Sequence, residues 1–337
     1  MKKPTYFIGV DVSKKTVDLT IFIEGKPYHK VIKNTRPSIQ KYVTDLIKNH
    51  SFSEADIAVG IENTGNYSLP SLEVFAQTDV KLYLLSPLHI SKSMGLIRGK
   101  TDCIDSMRIA QFLTKNYNDL AEYTPKREVI TELALLLSRR SKLQKLIKSE
   151  KSTVEALCCV KKGNATRLII AQSKADVKYL RKQIKRIEEE ILLLIKEDQS
   201  LSRQSSLLRS IPGVGKVLTW YLLVKTNEFK SIKDPRKLAC FAGVAPFEHS
   251  SGSSVRGRTK VSVFADKMLK KILHMAAMRA STLEGELRVY YLRKVKEGKN
   301  KMSVLNALRN KLIHRVIAVI NRNQPYQKKY QNHLVLS

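Results

Sequence analysis

What this chain can fold into is limited first by an order of periodicities near its start. Tyr6–Val10 is a short apolar run. After it Val17, Leu19, Ile21 and Ile23 recur at every second residue, interleaved with Asp18, Thr20 and Phe22. A period of two is the period of a strand, because successive side chains point to opposite faces of a sheet. Glu24-Gly25-Lys26-Pro27 reads as a turn, and His29–Lys33 can return as a third strand. Ser38–Lys48 then reads as a helix with Ser38 as N-cap, Ile57–Glu62 as a strand, Ser68–Gln77 as a helix and Val80–Leu85 as a strand. Asp102–Lys115 is a further helix, with Ile104, Ile109 and Phe112 on its apolar side. A three-strand meander followed by helix–strand–helix–strand–helix predicts an α/β domain of ribonuclease-H-like order over residues 1–125.

The rest of the chain reads as helical. From Lys126 to about Val160, Ile130, Leu133, Leu137, Leu143 and Leu146 keep helical spacing, and Lys161-Lys162-Gly163-Asn164 makes a turn. The returning helix carries Val177, Leu180, Ile184, Ile187, Ile191 and Leu194 at alternating steps of three and four, an a/d heptad seam. Residues 126–204 are therefore expected to form a coiled-coil hairpin, which either dimerises or packs only on itself. Residues 205–330 open on Leu208-Arg209-Ser210-Ile211-Pro212-Gly213-Val214-Gly215-Lys216 before an apolar helix, Val217–Val224. This is a helix-hairpin-helix-like turn, in which two glycines allow close backbone approach and the helix start offers N–H groups to a phosphate. Phe241-Ala242-Gly243-Val244-Ala245-Pro246 follows, then a polar stretch, Glu248–Arg258, that reads as flexible, and two basic helices near 266–280 and 301–323.

Charge separates these regions. The chain carries 61 Lys and Arg against 30 Asp and Glu, a formal charge of +31. Residues 1–125 hold only +3 of it, 126–204 hold +9 and 205–337 hold +19. So basic a terminal region attracts polyanions by counterion release, and nucleic acid is the leading partner. No apolar run reaches the ~18–20 residues of a membrane span, and Met1-Lys2-Lys3-Pro4-Thr5 leads directly into the first strand. Cys103, Cys158, Cys159 and Cys240 lack metal or disulfide spacing, as expected of reduced thiols in the cytoplasm.

Four carboxylates could carry chemistry. Asp11 lies just past the first strand, Glu62 ends the strand Ile57–Ile61, and Asp102 and Asp105 share one helix face at i, i+3. Each alone could be structural, Asp102 for example as an N-cap. Strand ends and one helix face can also gather all four, and clustered carboxylates raise one another's proton affinity unless a cation intervenes. Hard oxygen ligands suit magnesium, or manganese, and a pair of such ions serves in-line phosphodiester displacement.

The segments Gly9-Val10-Asp11-Val12-Ser13-Lys14, Glu62-Asn63-Thr64-Gly65 and Gly99-Lys100-Thr101-Asp102-Cys103-Ile104-Asp105 resemble the DEDD transposases of insertion-sequence family 110 and the related pilin-gene invertases. Ile211-Pro212-Gly213-Val214-Gly215, Phe241–Pro246 and Ser251-Gly252 are similar to the C-terminal transposase domain of that family, so the resemblance spans the chain in order. It implies a RuvC-like N-terminal domain, a coiled coil and a C-terminal domain with a nucleophilic serine. By the same resemblance Asp11, Glu62, Asp102 and Asp105 hold magnesium and Ser251 forms a covalent phosphoserine link to DNA, with Ser250 second among the crowded Ser250, Ser251, Ser253 and Ser254. A structured non-coding guide (bridge) RNA that pairs with donor and target DNA is implied as well. So are homo-oligomers, a dimer or a synaptic tetramer, in which the acids of one protomer meet the serine of another. Gly213, Gly215, Lys216, Arg256, Arg258 and Lys260 are the expected nucleic-acid contacts. The sequence departs from the family at Ser106, where Ala is usual, and at Ala265-Asp266-Lys267-Met268-Leu269-Lys270, where a Gly-Asn and an Arg are usual. The small-for-small change at Ser106 is expected to matter little. The reading is of a metal-dependent DNA transposase or recombinase; a RuvC-like nuclease using water and a non-catalytic nucleic-acid scaffold are the alternatives.

Overall fold

The computed structural model describes residues 4–50, 52–93, 101–160, 163–251, 255–261 and 265–327, with the backbone alone at 248–251 and 255–260. Gly99, Lys100, Lys161, Lys162, Gly252, Ser253 and Ser254, all named above, lie outside the described residues. The chain divides into two compact units, Met1–Pro125 and Lys126–Ser337.

In the first unit β1 (Tyr6–Val12), β2 (Thr16–Ile23) and β3 (Lys26–Lys33) form an antiparallel meander. β4 (Ile57–Glu62) joins β1 in parallel and β5 (Lys81–Leu85) joins β4, giving the strand order β3-β2-β1-β4-β5 expected of a ribonuclease-H-like sheet. Helices α1 (Arg36–His50), α2 (Leu69–Phe75), α3 (Pro87–Ser93) and α4 (Asp102–Asn116) complete the unit. Three expectations are corrected. Ser38 does not cap α1, which begins at Arg36; Ser38 sits in its first turn and accepts a hydrogen bond from the Thr35 hydroxyl at 2.9 Å. The helix expected from Ser68 is shorter, Leu69–Phe75, because Gly65–Ser68 forms a 3-10 turn. Asp102 is not an N-cap either: Thr101 fills that place, its hydroxyl accepting from Ile104 N–H at 3.3 Å.

Where α4 crosses the sheet is dictated by glycine. A Cβ on Gly9 would stand 2.0 Å from the Ser106 carbonyl oxygen and 2.3 Å from Ala110 N, so only glycine lets the helix lie this close to β1. The polar members of the period-two run on β2 therefore do not face water: Asp18 and Thr20 are buried beneath α4.

In the second unit α5 (Glu128–Leu157) and α6 (Asn164–Glu197) pack along each other. Their direction is antiparallel: Arg140 meets Glu188, while ten residues further along α5 Glu150 accepts from the Ser173 hydroxyl at 2.9 Å. Ile191 of the heptad seam is fully buried, and Val177, Leu180, Ile184, Ile187 and Leu194 are half-buried. Leu146, expected on the apolar side of α5, is instead exposed. The base of the hairpin, through Ile130, Leu133, Leu137, Ile191 and Ile195, shares one core with the helices that follow. These are α7 (Gln199–Arg209), α8 (Lys216–Lys225), α9 (Pro235–Phe241), α10 (Lys267–Thr282), α11 (Glu286–Lys296) and α12 (Lys301–Arg322), with Trp220 among the largest side chains buried there. After α8 the consecutive residues Asn227, Glu228 and Phe229 all take left-handed φ. Such a run is costly for non-glycine residues. It is pinned by Arg127, which donates to the Glu228 carboxylate at 2.6 and 2.9 Å and to Asp198 at 2.7 and 3.1 Å.

Of the stretch expected to be flexible, residues 248–251 and 255–258 lie in an antiparallel pair of strands, β6 (Pro246–Ser251) and β7 (Val255–Val261), while the residues between them lie outside those described.

Candidate active site

The strand period places three acids toward α4. Gly9 and Asp11 share one face of β1, Gly60 and Glu62 one face of β4, and Thr20 and Asp18 one face of β2. Gly9 pairs with Gly60 on one side and Thr20 on the other, so these residues form a row across the sheet beneath α4. Asp11, Glu62 and Asp18 stand two residues from that row on their strands, on the same face and toward the same end of the sheet, and Asp11 is directly opposite Asp18. From above, α4 contributes Asp102 and Asp105 in its first turn, where the positive end of the helix dipole favours negative charge.

The convergence is visible in the proton affinity of Asp11. Partial burial, then the charges of Glu62, Asp102 and Asp105 in that order, push its carboxyl up from 3.8 to about 6. Asp105 is also held by Arg108, whose Nη1 donates to its Oδ1 at 3.0 Å. Asp102 is exposed and Glu62 half-exposed. Among the described residues no three Asp, Glu, His or Cys side chains close on a single point that could hold a metal ion. The four acids are thus a concentration of negative charge with an all-oxygen donor set, and that chemistry fits a hard divalent cation.

Asp18 was not among the expected site residues. It is buried, and burial, together with the charge of Asp102, raises its carboxyl, while His29 acts in the opposite direction. The hairpin Asp11–Asp18, with its turn at Ser13–Thr16, was the available signal: pairing across that turn sets the two acids face to face.

The other expected residues lie in the second unit. Ser251 is the last residue of β6, paired with Val255, and Ser250 is paired with Arg256. Arg258 and Lys260 follow on β7, and Lys260 is opposite Phe247. The Phe241–Pro246 segment fixes the base of this hairpin. Gly243 has φ +64°, and a Cβ there would meet Ala265 Cβ at 2.4 Å; the Phe241 carbonyl accepts from Asp266 N–H at 2.8 Å. Asp266 in turn caps α10, accepting from Leu269 N–H at 2.7 Å, and pairs with Lys225 at 2.8 Å. The departure from the family at Ala265-Asp266 therefore has a place in this fold: a small side chain against Gly243 and a helix cap.

Gly213 has a reason internal to the unit. Its φ is +93°, and a Cβ would press on Ala276 and Ala280 of α10. Gly215 is open around its Cα and stands as the N-cap of α8. Lys216 donates to Glu188 at 2.8 Å, and its ammonium lies 5.7 Å from the centre of the Trp220 ring.

Comparison with known proteins bears on both units. Residues 8–158 match a transposase family of DEDD type associated with IS110, and residues 205–292 match the family described as transposase IS116/IS110/IS902. The pilin gene-inverting protein of Moraxella bovis is 27% identical over 327 residues, covering 96% of this chain and 98% of the relative. An insertion element IS110 protein of Streptomyces coelicolor is 29% identical over 125 residues, covering 37% of this chain and 31% of the relative. Among solved structures, RuvC of T. thermophilus in complex with a Holliday junction substrate aligns with a TM-score of 0.27 and 12% identity, over 35% of this chain and 99% of that one.

Proposed function

For a chain that belongs to the IS116/IS110/IS902 transposase family, and is therefore a DNA recombinase, we propose that Asp11, Glu62, Asp102 and Asp105 bind divalent metal and that Ser251 is the nucleophile. The observation that carries the first half is the elevated carboxyl of Asp11 beside three other acids. A protein keeps such a costly concentration of charge where a cation, rather than a proton, is to be bound. Magnesium, or manganese, bound there would supply a Lewis acid for the phosphodiester and neutralise charge on the leaving oxygen. The carboxylates supply the ligands, and the β1–α4 contact at Gly9 sets their spacing.

In the covalent step a bond forms between Ser251 Oγ and a DNA phosphorus, and one P–O bond to deoxyribose breaks. The leaving oxygen departs with the electron pair and takes up a proton as Oγ loses one. The number of phosphodiester-type bonds is unchanged, so rejoining needs no external energy source. Supporting this reading are the position of Ser251 at the end of β6 and the Ser-Gly pattern it shares with the family. The excess charge in residues 205–337, +19, supplies the affinity for donor and target DNA. Arg256, Arg258 and Lys260 lie on the strand that faces the serine strand, and with Gly215 at the start of α8 they are the proposed backbone contacts. A guide RNA and a homo-oligomeric assembly complete the proposal.

The test is Ser251→Ala. The variant should bind DNA with unchanged affinity and yield neither a protein–DNA adduct stable to denaturation nor recombinants. Continued cutting with free ends would replace the covalent mechanism by one in which water attacks. An adduct that survives Ser251→Ala but not the double change with Ser250→Ala would move the role to Ser250.

A further inference from the structure

Beside the four acids lies a chain of polar contacts that the proposed reaction does not use. Ser106, one residue beyond Asp105 on α4, is fully buried, and its Oγ lies 2.7 Å from Thr20 Oγ1. Thr20, also buried, is paired across the sheet with Gly9 on one side and His29 on the other. Its Oγ1 lies 3.1 Å from His29 Nδ1, and His29 Nε2 lies 3.2 Å from Asp18 Oδ1. Two strands and a helix are thus joined by four side chains.

Ser106 Oγ also donates to the Cys103 carbonyl at 3.0 Å, inside the acid-bearing first turn of α4. Each hydroxyl has one proton to donate, so Ser106 accepts from Thr20 Oγ1, which in turn faces His29 Nδ1, while His29 Nε2 faces Asp18. Two consequences follow from the placement. The Ser106 side chain ties α4 to β2 one residue from Asp105 and four from Asp102, beside the point where its backbone rests on Gly9. Asp18, directly opposite Asp11 on the same face of the sheet, is engaged by His29.

We propose that Asp18, His29, Thr20 and Ser106 form a positioning chain that fixes the acid-bearing first turn of α4 on the sheet and holds Asp18 back from the cation set of Asp11, Glu62, Asp102 and Asp105. The inference rests on the reading of those four as a cation site. Ser106 is then no neutral exchange for the alanine usual in the family. It is the α4 end of this positioning chain. Without His29, Asp18 would be a fifth carboxylate free to pull the ion toward β2.

The full chain titrated with Mn²⁺ by calorimetry decides it, together with the Mn²⁺ concentration that half-saturates strand cleavage. Groups that orient metal ligands typically change affinity about 10- to 100-fold. His29→Leu should weaken Mn²⁺ binding about 10-fold, and His29→Gln, whose amide can still donate to Asp18, should keep most of it. A folded His29→Leu variant with unchanged affinity would overturn the inference. So would equal losses in the Leu and Gln variants, because packing alone would then be at work. If His29→Leu does not fold, Thr20→Val with Ser106→Ala takes its place, removing both hydroxyls at nearly constant volume; unchanged Mn²⁺ affinity there is equally fatal. Asp11→Asn separates the two ideas. If it loses Mn²⁺ binding while the His29 and Thr20/Ser106 variants do not, only the positioning chain fails. If it binds Mn²⁺ like the parent, the four-carboxylate site fails and takes this inference with it.

Discussion

A half-buried carboxylate that shares its surroundings with three others must cost the fold something, and Asp11 makes that cost measurable. Its carboxyl is raised to about 6 in the folded chain against 3.8 when free. Between those values the native state holds a proton that the unfolded state has released, so this residue lowers stability as pH rises through about 4 to 6, and the penalty persists above it. A two-unit displacement corresponds to about 3 kcal/mol at most. Partial solvent exposure reduces that to roughly 1–2 kcal/mol. Asp11→Asn should therefore be more stable than the parent by that amount in urea denaturation at pH 8, and equal to it at pH 4. Mn²⁺ should raise the melting temperature of the parent at pH 8 and not that of the variant. A variant that is less stable at both pH values would show that Asp11 is a structural acid. The four acids were legible in the sequence because each ends a strand or opens a helix, where side chains can converge. Asp18 was not, because in the alternating run Val17–Ile23 a polar residue reads as solvent-facing. Only the helix laid over that face shows otherwise.

At the level of elements, α4 is the part that carries consequences, and the glycines beneath it were legible only as residues of a motif. Gly9 stands in the apolar run before Asp11, and nothing in the sequence says that a helix backbone rests on it. Gly9→Ala puts a methyl group where the Ser106 carbonyl and Ala110 N now lie. Backbone cannot swing aside as a flexible side chain can, so α4 must rise from β1. The expected loss is about 3 kcal/mol, the upper end of what overpacking usually costs, measured by urea denaturation. Strand cleavage should fall further than stability does, because Asp102 and Asp105 move with the helix. A variant of parental stability and activity would mean that α4 does not rest on β1 as described. The hairpin β6–β7 is the converse case. Ser250-Ser251-Gly252-Ser253-Ser254 has the composition of a linker, and local composition cannot report the cross-strand pairing from Pro246–Val261 to Ser251–Val255 that places Ser250 and Ser251 in a strand. The Phe241–Pro246 segment and the cap at Asp266 hold the base of that hairpin from outside it.

For the molecule as a whole, the exposed side of the long hairpin of α5 and α6 is the surface whose partner can be tested. The heptad seam on α6 was legible, but its partner was not, since an a/d row fits equally a second copy or the neighbouring helix. Charging Ile184 and Ile191 would not tell these apart. Ile191 is fully buried in the core shared with Ile130, Trp220 and Leu308, and a carboxylate there unfolds the unit whatever the assembly. Informative positions are those that remain outside. Leu146 is 42% exposed and Tyr179 61% exposed. The pairs Arg140–Glu188 and Glu150–Ser173 fix the antiparallel register, and on that register the two stand at about the same level of the hairpin. Large apolar side chains exposed together are candidates for association. Leu146→Lys with Tyr179→Lys should leave the melting temperature within about 2 °C, since exposed changes rarely exceed 0.5 kcal/mol. The mass measured by light scattering should fall by half or more. Recombination should fall with it, while binding of short DNA, proposed above to depend on the excess positive charge of residues 205–337, should hold. If the mass is unchanged in the double variant, the hairpin is an intramolecular arm, and any homo-oligomer must form through another surface.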